Sequence, residues 1–140
     1  MESTKTFITV KTTVNAPINK VWEFWTKPEH LTQWTHASDD WHAPYAENDL
    51  RTSGKFKTTM AAKDGSFSFD FEGIYTHVEE NRIIAYTLGD GRTVKISFSS
   101  EGNNTQIIET FEAENTNPVE MQQTGWQSIL NNFKKYTESK

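Results

Sequence analysis

The feature that most constrains this chain is a long helical pattern at its carboxyl end, which follows a series of strand-like segments. From Pro118 onward, apolar residues recur on one face of a helix of about 20 residues, or about 30 Å. Such a helix buries its apolar face only by packing against another element, and the preceding strands supply one. The pattern also predicts a cap at Asn117, with Pro118 at the first helical position and Glu120 at the third. The residues on the apolar face are Val119, Gln122, Trp126, Ile129, Leu130, Phe133 and Tyr136.

Alternation of apolar and polar residues predicts strands through most of the preceding sequence. Short turns between them, such as KDG at 63–65 and GDGR at 89–92, indicate an antiparallel meander. In SFSFDFEG the three phenylalanines share one face, but Ile74 and Val78 have the opposite phase, so we expect a bulge near Gly73. The predicted strands cover residues 6–14, 54–62, 66–73, 83–88, 93–99 and 105–113, with a short one near Trp41.

Two short helices are expected after the first strand. In NAPINKVWEFW, Pro17 suits a first helical position, and apolar residues follow at i, i+3, i+4 and i+7. Pro28 ends this helix and begins another, in which Leu31 and Trp34 are three apart. The predicted order is therefore a strand, two short helices, a run of strands and one long helix.

Composition narrows the classes of function. The 140 residues suit a single domain over 1–140, and a net charge of −5 without a basic stripe argues against nucleic acid as a partner. No segment has the run of about 20 apolar residues that membrane insertion requires, and we see no secretory signal. The absence of cysteine excludes thiol chemistry, and we expect a cytoplasmic location. Five Trp, four Tyr and nine Phe can fill a core or line a pocket.

The segment WTHASDDWHAP brings two histidines and two aspartates close together in the sequence. Imidazole and carboxylate groups suit a transition metal, but there is no i, i+4 histidine pair, and adjacent loop carboxylates usually stay solvated. We therefore expect no metal site. Trp41 is expected to point into the mouth of a cavity, while the polar residues His36, Asp39, Asp40 and His42 face mostly outward.

Acid–base catalysis would need a carboxyl group inside the molecule. Alternation places Asp70 and Glu72 opposite the phenylalanines, in water, whereas Glu109 shares its phase with Ile107 and Phe111. Burial of Glu109 would raise its pKa and let it serve as an acid or a base. The interpretation that the sequence favours is an ion pair on the outer face of the sheet, so no catalytic residue is assigned.

The order of elements and several motifs resemble the START-like, or SRPBCC, helix-grip family. VNAPINKVWEFWTKPEHLTQW is similar to its opening signature, and SGKF, DGSFSFDFEGIY and TGWQSILNNF resemble the branch named for the activator of Hsp90 ATPase homologue 1. This resemblance covers nearly the whole chain. It implies an α+β fold in which a curved antiparallel sheet of about six or seven strands surrounds the last helix and leaves a cavity for an apolar ligand.

Members of that family include lipid and hormone binders, polyketide cyclases and a co-chaperone domain, so the fold leaves the activity open. The eukaryotic co-chaperone carries a further amino-terminal domain that binds Hsp90, and we expect none here. We expect binding of a small apolar or aromatic molecule, without a cofactor. A cyclase- or hydratase-type enzyme and a protein-interaction domain are the alternatives, and a homodimer would cover exposed aromatic residues. An inward carboxylate or histidine would favour the enzyme.

Two residues of the last helix carry the cavity hypothesis. Gln122 lies on an apolar face, where its amide needs a hydrogen bond from the sheet backbone, a water or a ligand. Gly125 costs about 1 kcal/mol in a helix interior and leaves room for the sheet, a second protomer or a ligand. The predicted ligand-binding residues are Trp41, Phe56, Phe69, Phe71, Tyr86, Gln122, Trp126, Ile129 and Phe133.

Overall fold

The structure is a computed structural model and describes residues 5–140. The predicted order of elements is confirmed, and the sheet has seven strands. The elements are β1 (Phe7–Val14), α1 (Ile18–Thr26), α2 (Pro28–Trp34), β2 (Trp41–Asn48), β3 (Lys55–Ala62), β4 (Ser68–Glu79), β5 (Ile83–Leu88), β6 (Thr93–Glu101), β7 (Asn104–Glu112) and α3 (Val119–Glu138).

The strands form one curled antiparallel sheet in the order β1-β7-β6-β5-β4-β3-β2. The strands from β2 to β7 make a meander, because each pairs with the next through a short connection. β1 joins the far side of β7, where Val10 lies opposite Glu109. α1 and α2 therefore carry the chain from one edge of the sheet to the other, and α3 packs across the concave face. The α+β helix-grip fold is thus confirmed.

One face of each strand supplies the core, as alternation predicts. Apolar residues on this face are almost fully buried in β1, β6 and β7, whereas their neighbours along each strand are more exposed. Burial of these side chains is the main favourable term in folding. The residues concerned include Ile8, Val10, Val14, Val94, Ile96, Phe98, Ile107 and Phe111.

The irregularity in β4 lies beyond the predicted position. The register shifts between Tyr75 and His77, so Gly73 keeps the phase of the phenylalanines, and Val78 lies opposite a buried residue of β5. Ile74 points outward and is 46% exposed. The prediction of a bulge near Gly73 is therefore wrong in place, because it treated Ile74 as an inward residue.

Gly73 has a packing role instead. A Cβ atom there would lie 2.6 Å from the carbonyl oxygen of Thr87 and 3.0 Å from the ring of Phe56. The absence of a side chain at Gly73 therefore lets the ring of Phe56 and the neighbouring strand approach its backbone closely.

The predicted cap of α3 is also wrong. The helix begins at Val119, Pro118 is its N-cap residue, and no side chain caps it. The Asn117 side chain is engaged elsewhere, since its Nδ2 donates to Glu114 Oε1 at 2.5 Å. Pro17 is likewise the N-cap residue of α1 and not its first helical residue.

Aromatic rings from α1, α2 and α3 form a dense cluster away from the middle of the sheet. The ring of Phe133 lies 4.8 Å from that of Trp25 and 4.9 Å from that of Trp34. The indole Nε1 of Trp34 donates to the carbonyl of Phe24 at 3.0 Å, which satisfies its buried polar group. Among residues 5–140, none of the helices is long and apolar enough to cross a membrane.

Candidate functional site

A cavity of about 390 Å³ lies between the concave face of the sheet and α3. It reaches the surface near Phe69 and Met121, which line it and are 42% and 62% exposed. Its volume and largely apolar walls are typical of small-molecule sites. The lining residues are Trp25, Leu31, Trp34, Thr35, Ala37, Phe56, Thr58, Met60, Phe69, Phe71, Tyr75, Ile84, Tyr86, Arg92, Glu109, Glu114, Asn117, Met121, Gln122, Gly125, Trp126 and Ile129.

Most of the predicted ligand-binding residues line this cavity, but Trp41 and Phe133 do not. The half-buried Trp41 packs edge-on against Phe67 and Phe69, with ring centroids 6.1 Å apart in both pairs. Phe133 is fully buried in the aromatic cluster of the helices. The predicted residues that the structure brings together around the cavity are Phe56, Phe69, Phe71, Tyr86, Gln122, Trp126 and Ile129.

Trp126 forms the centre of the helix wall. Its ring stacks on Phe111 of β7, with centroids 3.9 Å apart and planes 10° apart. Its contact with Phe71 of β4 is edge-on, at 5.9 Å and 74°. These contacts fix the indole between two strands, so it presents a rigid aromatic surface to the cavity.

Gln122 lines the cavity, but its amide is fully used by the loop before α3. Its Oε1 accepts from the backbone N–H of Glu114 at 2.9 Å. Its Nε2 donates to the carbonyls of Glu114 at 3.2 Å and Asn117 at 2.8 Å. The partner of this buried glutamine is therefore the backbone of a loop, and not the sheet backbone, the water or the ligand that the sequence analysis considered. Gln122 holds the loop against the helix and leaves no N–H for a ligand.

Gly125 faces open space. A Cβ atom built on this residue would meet no heavy atom within 4 Å. The sheet does not approach the helix closely here, so that explanation of the glycine is excluded. The space beside it belongs to the cavity.

Glu109 is the most unusual residue of the cavity wall. It lies on the inner face of β7, is only 6% exposed, and lines the cavity. Within residues 5–140, no hydrogen bond or ion pair involves its carboxyl group. Burial raises the pKa of Glu109 to about 8, so the group is mostly uncharged at neutral pH. The outer-face ion pair favoured from the sequence is wrong, and the inward alternative is the one observed.

Two tyrosines share the cavity with Glu109. Burial raises the pKa of Tyr75, whose hydroxyl donates to Asn48 Oδ1. Burial, and then the proximity of Glu109 and Tyr75, raises the pKa of Tyr86 well above its ordinary value. Both phenols therefore stay neutral over the physiological range, and Tyr86 adds a ring to the wall.

Two further charged residues, Arg92 and Glu114, line the cavity. Arg92, in the turn between β5 and β6, donates from Nε to Asp90 Oδ2 at 2.7 Å. Glu114 accepts from the backbone N–H of Asn117 at 2.9 Å. Arg92 is therefore ion-paired, whereas Glu114 has only uncharged hydrogen-bond partners among the described residues.

The segment 34–44 lies beside the cavity and differs from its prediction. Asp39, Asp40 and His42 are exposed, as expected, but His36 is half-buried and its Nδ1 has no partner among the described residues. Burial, followed by the charge of Lys63, lowers the pKa of His36. In the described part of the chain, no three His, Cys, Asp or Glu side chains are arranged to hold a metal ion.

Several lining residues were missed in the sequence analysis. Thr58 and Met60 share the phase of Phe56 on β3, so alternation alone identifies them. Tyr75 is harder to place, because its orientation depends on where β4 is irregular. Arg92 lies in a turn, where the periodicity of the sequence does not predict which way a side chain points.

Comparison with known proteins supports the fold. The model of the family described as activator of Hsp90 ATPase homolog 1-like protein matches residues 15–138. The solution structure of an AHSA1-like protein from Aeromonas hydrophila is 41% identical, with a TM-score of 0.90, over 96% of this chain and 93% of that one. A solution structure from Cytophaga hutchinsonii is 57% identical, with a TM-score of 0.82, over 94% of this chain and 92% of that one.

A more distant crystal structure, from Chromobacterium violaceum, has a TM-score of 0.85 at 20% identity, over 95% of this chain and 98% of that one. At this identity the similarity concerns the fold alone. None of the curated proteins matches the chain significantly.

Proposed function

This chain belongs to the family of activator of Hsp90 ATPase homolog 1-like proteins, and from this premise we propose that it binds a small apolar or aromatic molecule in the cavity under α3. The observation that carries the proposal is the unfilled space of about 390 Å³ between the helix and the sheet. Clefts of a few hundred Å³ with mostly apolar walls are the usual sites of small-molecule binding. A cleft with this volume and these walls therefore suits a small molecule with an apolar body.

The chemistry of the walls supports an apolar occupant. Phe71, Tyr86 and Trp126 present rings from β4, β5 and α3, and Ile129 adds an aliphatic surface. A flat aromatic or amphipathic molecule would gain about 25 cal/mol for each Å² of apolar surface removed from water. An interaction domain that acts through its outer surface would need no internal space, so the cavity does not favour that alternative.

Titration with N-phenyl-1-naphthylamine, a neutral dye that fluoresces in apolar surroundings, tests the proposal. We expect one dye molecule to bind per chain. Trp126→Ala should weaken binding by about 1–3 kcal/mol, at least fivefold in Kd, because the central aromatic wall is removed. Trp41→Ala is the matched control: it removes the same side chain from outside the cavity and should change Kd less than twofold.

Equal affinity of wild type and Trp126→Ala would reject this cavity as the site. A larger loss in Trp41→Ala than in Trp126→Ala would move the site to the mouth of the cavity, where Trp41 packs against Phe67 and Phe69. Native mass spectrometry of protein purified from its own cells would then identify any co-purifying molecule.

Glu109 favours a second candidate function, an enzyme that uses the buried carboxyl as a general acid or base. Its pKa of about 8 keeps a proton available at neutral pH in an apolar cavity, which suits a cyclase- or hydratase-type step. Chromatography and mass spectrometry of the co-purified molecule, after incubation with fresh protein, distinguish the two functions. Conversion by wild type that is lost in Glu109→Gln, with binding retained, would indicate the enzyme. An unchanged molecule indicates binding alone.

A further inference from the structure

Among the described residues, Glu109 is the one buried carboxyl group; it lines the cavity, and neither a hydrogen bond nor an ion pair engages it. Glu109 is 6% exposed, and its neighbours across the sheet are Val10 on β1 and Ile96 on β6, which are both apolar. An unpaired buried carboxyl group costs free energy relative to an apolar residue of the same shape. No contact with the described residues stabilises this carboxyl group, so it can form a hydrogen bond with a molecule that enters the cavity.

No charged group around the cavity neutralises Glu109. The guanidinium of Arg92 is held by Asp90, and both phenols remain protonated. Glu114 sits at the rim in contact with Asn117. The other titratable residues that line the cavity are Tyr75, Tyr86, Arg92 and Glu114.

We propose that the ligand is a neutral molecule that places a carbonyl-type oxygen, or another uncharged acceptor, against Glu109, whose carboxyl group donates a hydrogen bond to it. This inference rests on the proposed function, because it names the class of molecule that the same cavity would hold. Glu109 thus determines specificity: it selects an apolar or aromatic body that carries one acceptor.

A neutral acceptor fits the surroundings better than a cation does. A cation would have to lose its hydration shell, and Glu109 would have to lose its proton, before an ion pair could form in an apolar space. A neutral acceptor requires neither change, because the proton of the carboxyl group is already in place.

Three probes with the same two-ring body test the proposal by calorimetry. Diphenylmethane has no polar group, benzophenone adds a carbonyl oxygen, and diphenylmethylamine adds a basic nitrogen. At pH 6.5 we expect benzophenone to bind the wild-type protein roughly threefold to tenfold tighter than diphenylmethane, the effect of one net hydrogen bond. At pH 9.5, where Glu109 is ionised, this advantage should disappear.

Two substitutions separate hydrogen bonding from packing. Glu109→Leu removes the donor and should abolish the preference for benzophenone at both pH values. Glu109→Gln keeps an N–H donor, so the preference should persist but no longer change with pH. Diphenylmethane serves as the internal control, because its affinity reports whether each variant retains an intact cavity.

The outcomes are distinguishable. Equal affinity for benzophenone and diphenylmethane in wild type, or a preference that survives in Glu109→Leu, overturns the inference. Tightest binding of diphenylmethylamine would replace the neutral acceptor with a cationic ligand. If none of the three probes binds, the proposed function itself fails, and this inference fails with it.

Discussion

Replacing Glu109 by glutamine should raise the stability relative to the wild-type protein progressively as the pH rises from 5 to 8. The folded protein holds the proton of Glu109 up to a pKa of about 8, whereas the ordinary value is 4.5. Below pH 4.5 the group is protonated in both states and does not affect the free energy of unfolding. As the pH rises toward 8, only the unfolded chain releases the proton, so the wild-type protein loses stability.

The magnitude follows from the two pKa values. Each tenfold change in the ionisation equilibrium is worth about 1.4 kcal/mol, so by pH 7 the buried acid lowers the free energy of unfolding by about 3 kcal/mol. The side-chain amide of glutamine does not titrate in this pH range. The stability difference between Glu109→Gln and wild type should therefore grow by about 3 kcal/mol between pH 5 and pH 8.

Urea denaturation at pH 5, 6, 7 and 8, followed by tryptophan fluorescence, measures this difference directly. Any constant cost of the buried amide shifts the whole curve and cancels when the pH values are compared. Glu72→Gln is the matched control, since it removes an exposed carboxyl group from the same sheet and should leave the pH dependence within about 0.5 kcal/mol of wild type. A difference between Glu109→Gln and wild type that stays constant over this pH range would refute the burial of an uncharged carboxyl group.

Two further predictions concern α3. Gly125→Ala should raise the free energy of unfolding by about 0.5–1 kcal/mol, because alanine favours the helix and its methyl group meets no atom. Thermal denaturation measures this, and a lower Tm would reveal a steric neighbour. Gln122→Ala should destabilise the protein by about 2 kcal/mol, because three hydrogen bonds to the loop before α3 are lost. Amide hydrogen exchange at Glu114 should then accelerate, and unchanged exchange would contradict the role of Gln122.

The fold could be predicted from the sequence because its elements have clear periods. Strands with one buried face alternate with period two, and α3 carries an apolar stripe with the helical period. The bulge in β4 was misplaced because an apolar residue in the outward phase, Ile74, looks the same in a sequence as an inward residue after a bulge. The predicted cap of α3 was wrong because the Asn117 side chain contacts Glu114 instead. That contact depends on the path of the loop, which the sequence pattern does not define.

The site could be predicted only in part, because the residues that meet around the cavity come from strands that are far apart in the sequence. Alternation put Glu109 in phase with buried neighbours, but only the assembled sheet shows that no cation faces it. The sequence also could not divide the aromatic residues between core and cavity. Phe133 and Trp126 lie on the same face of α3, yet one packs among tryptophans of α1 and α2 while the other stacks on β7.

Gly125 and Glu109 come from different elements, and each costs the fold stability. A close approach of backbone would explain the glycine, but nothing lies within 4 Å of its missing side chain. An ion pair would explain the glutamate, but no cation faces it. Alanine in place of Gly125 and an apolar residue in place of Glu109 would stabilise the fold. Since both residues line the same cavity, the ligand that we propose would account for both: its body would use the space beside the helix, and its acceptor would meet the carboxyl group.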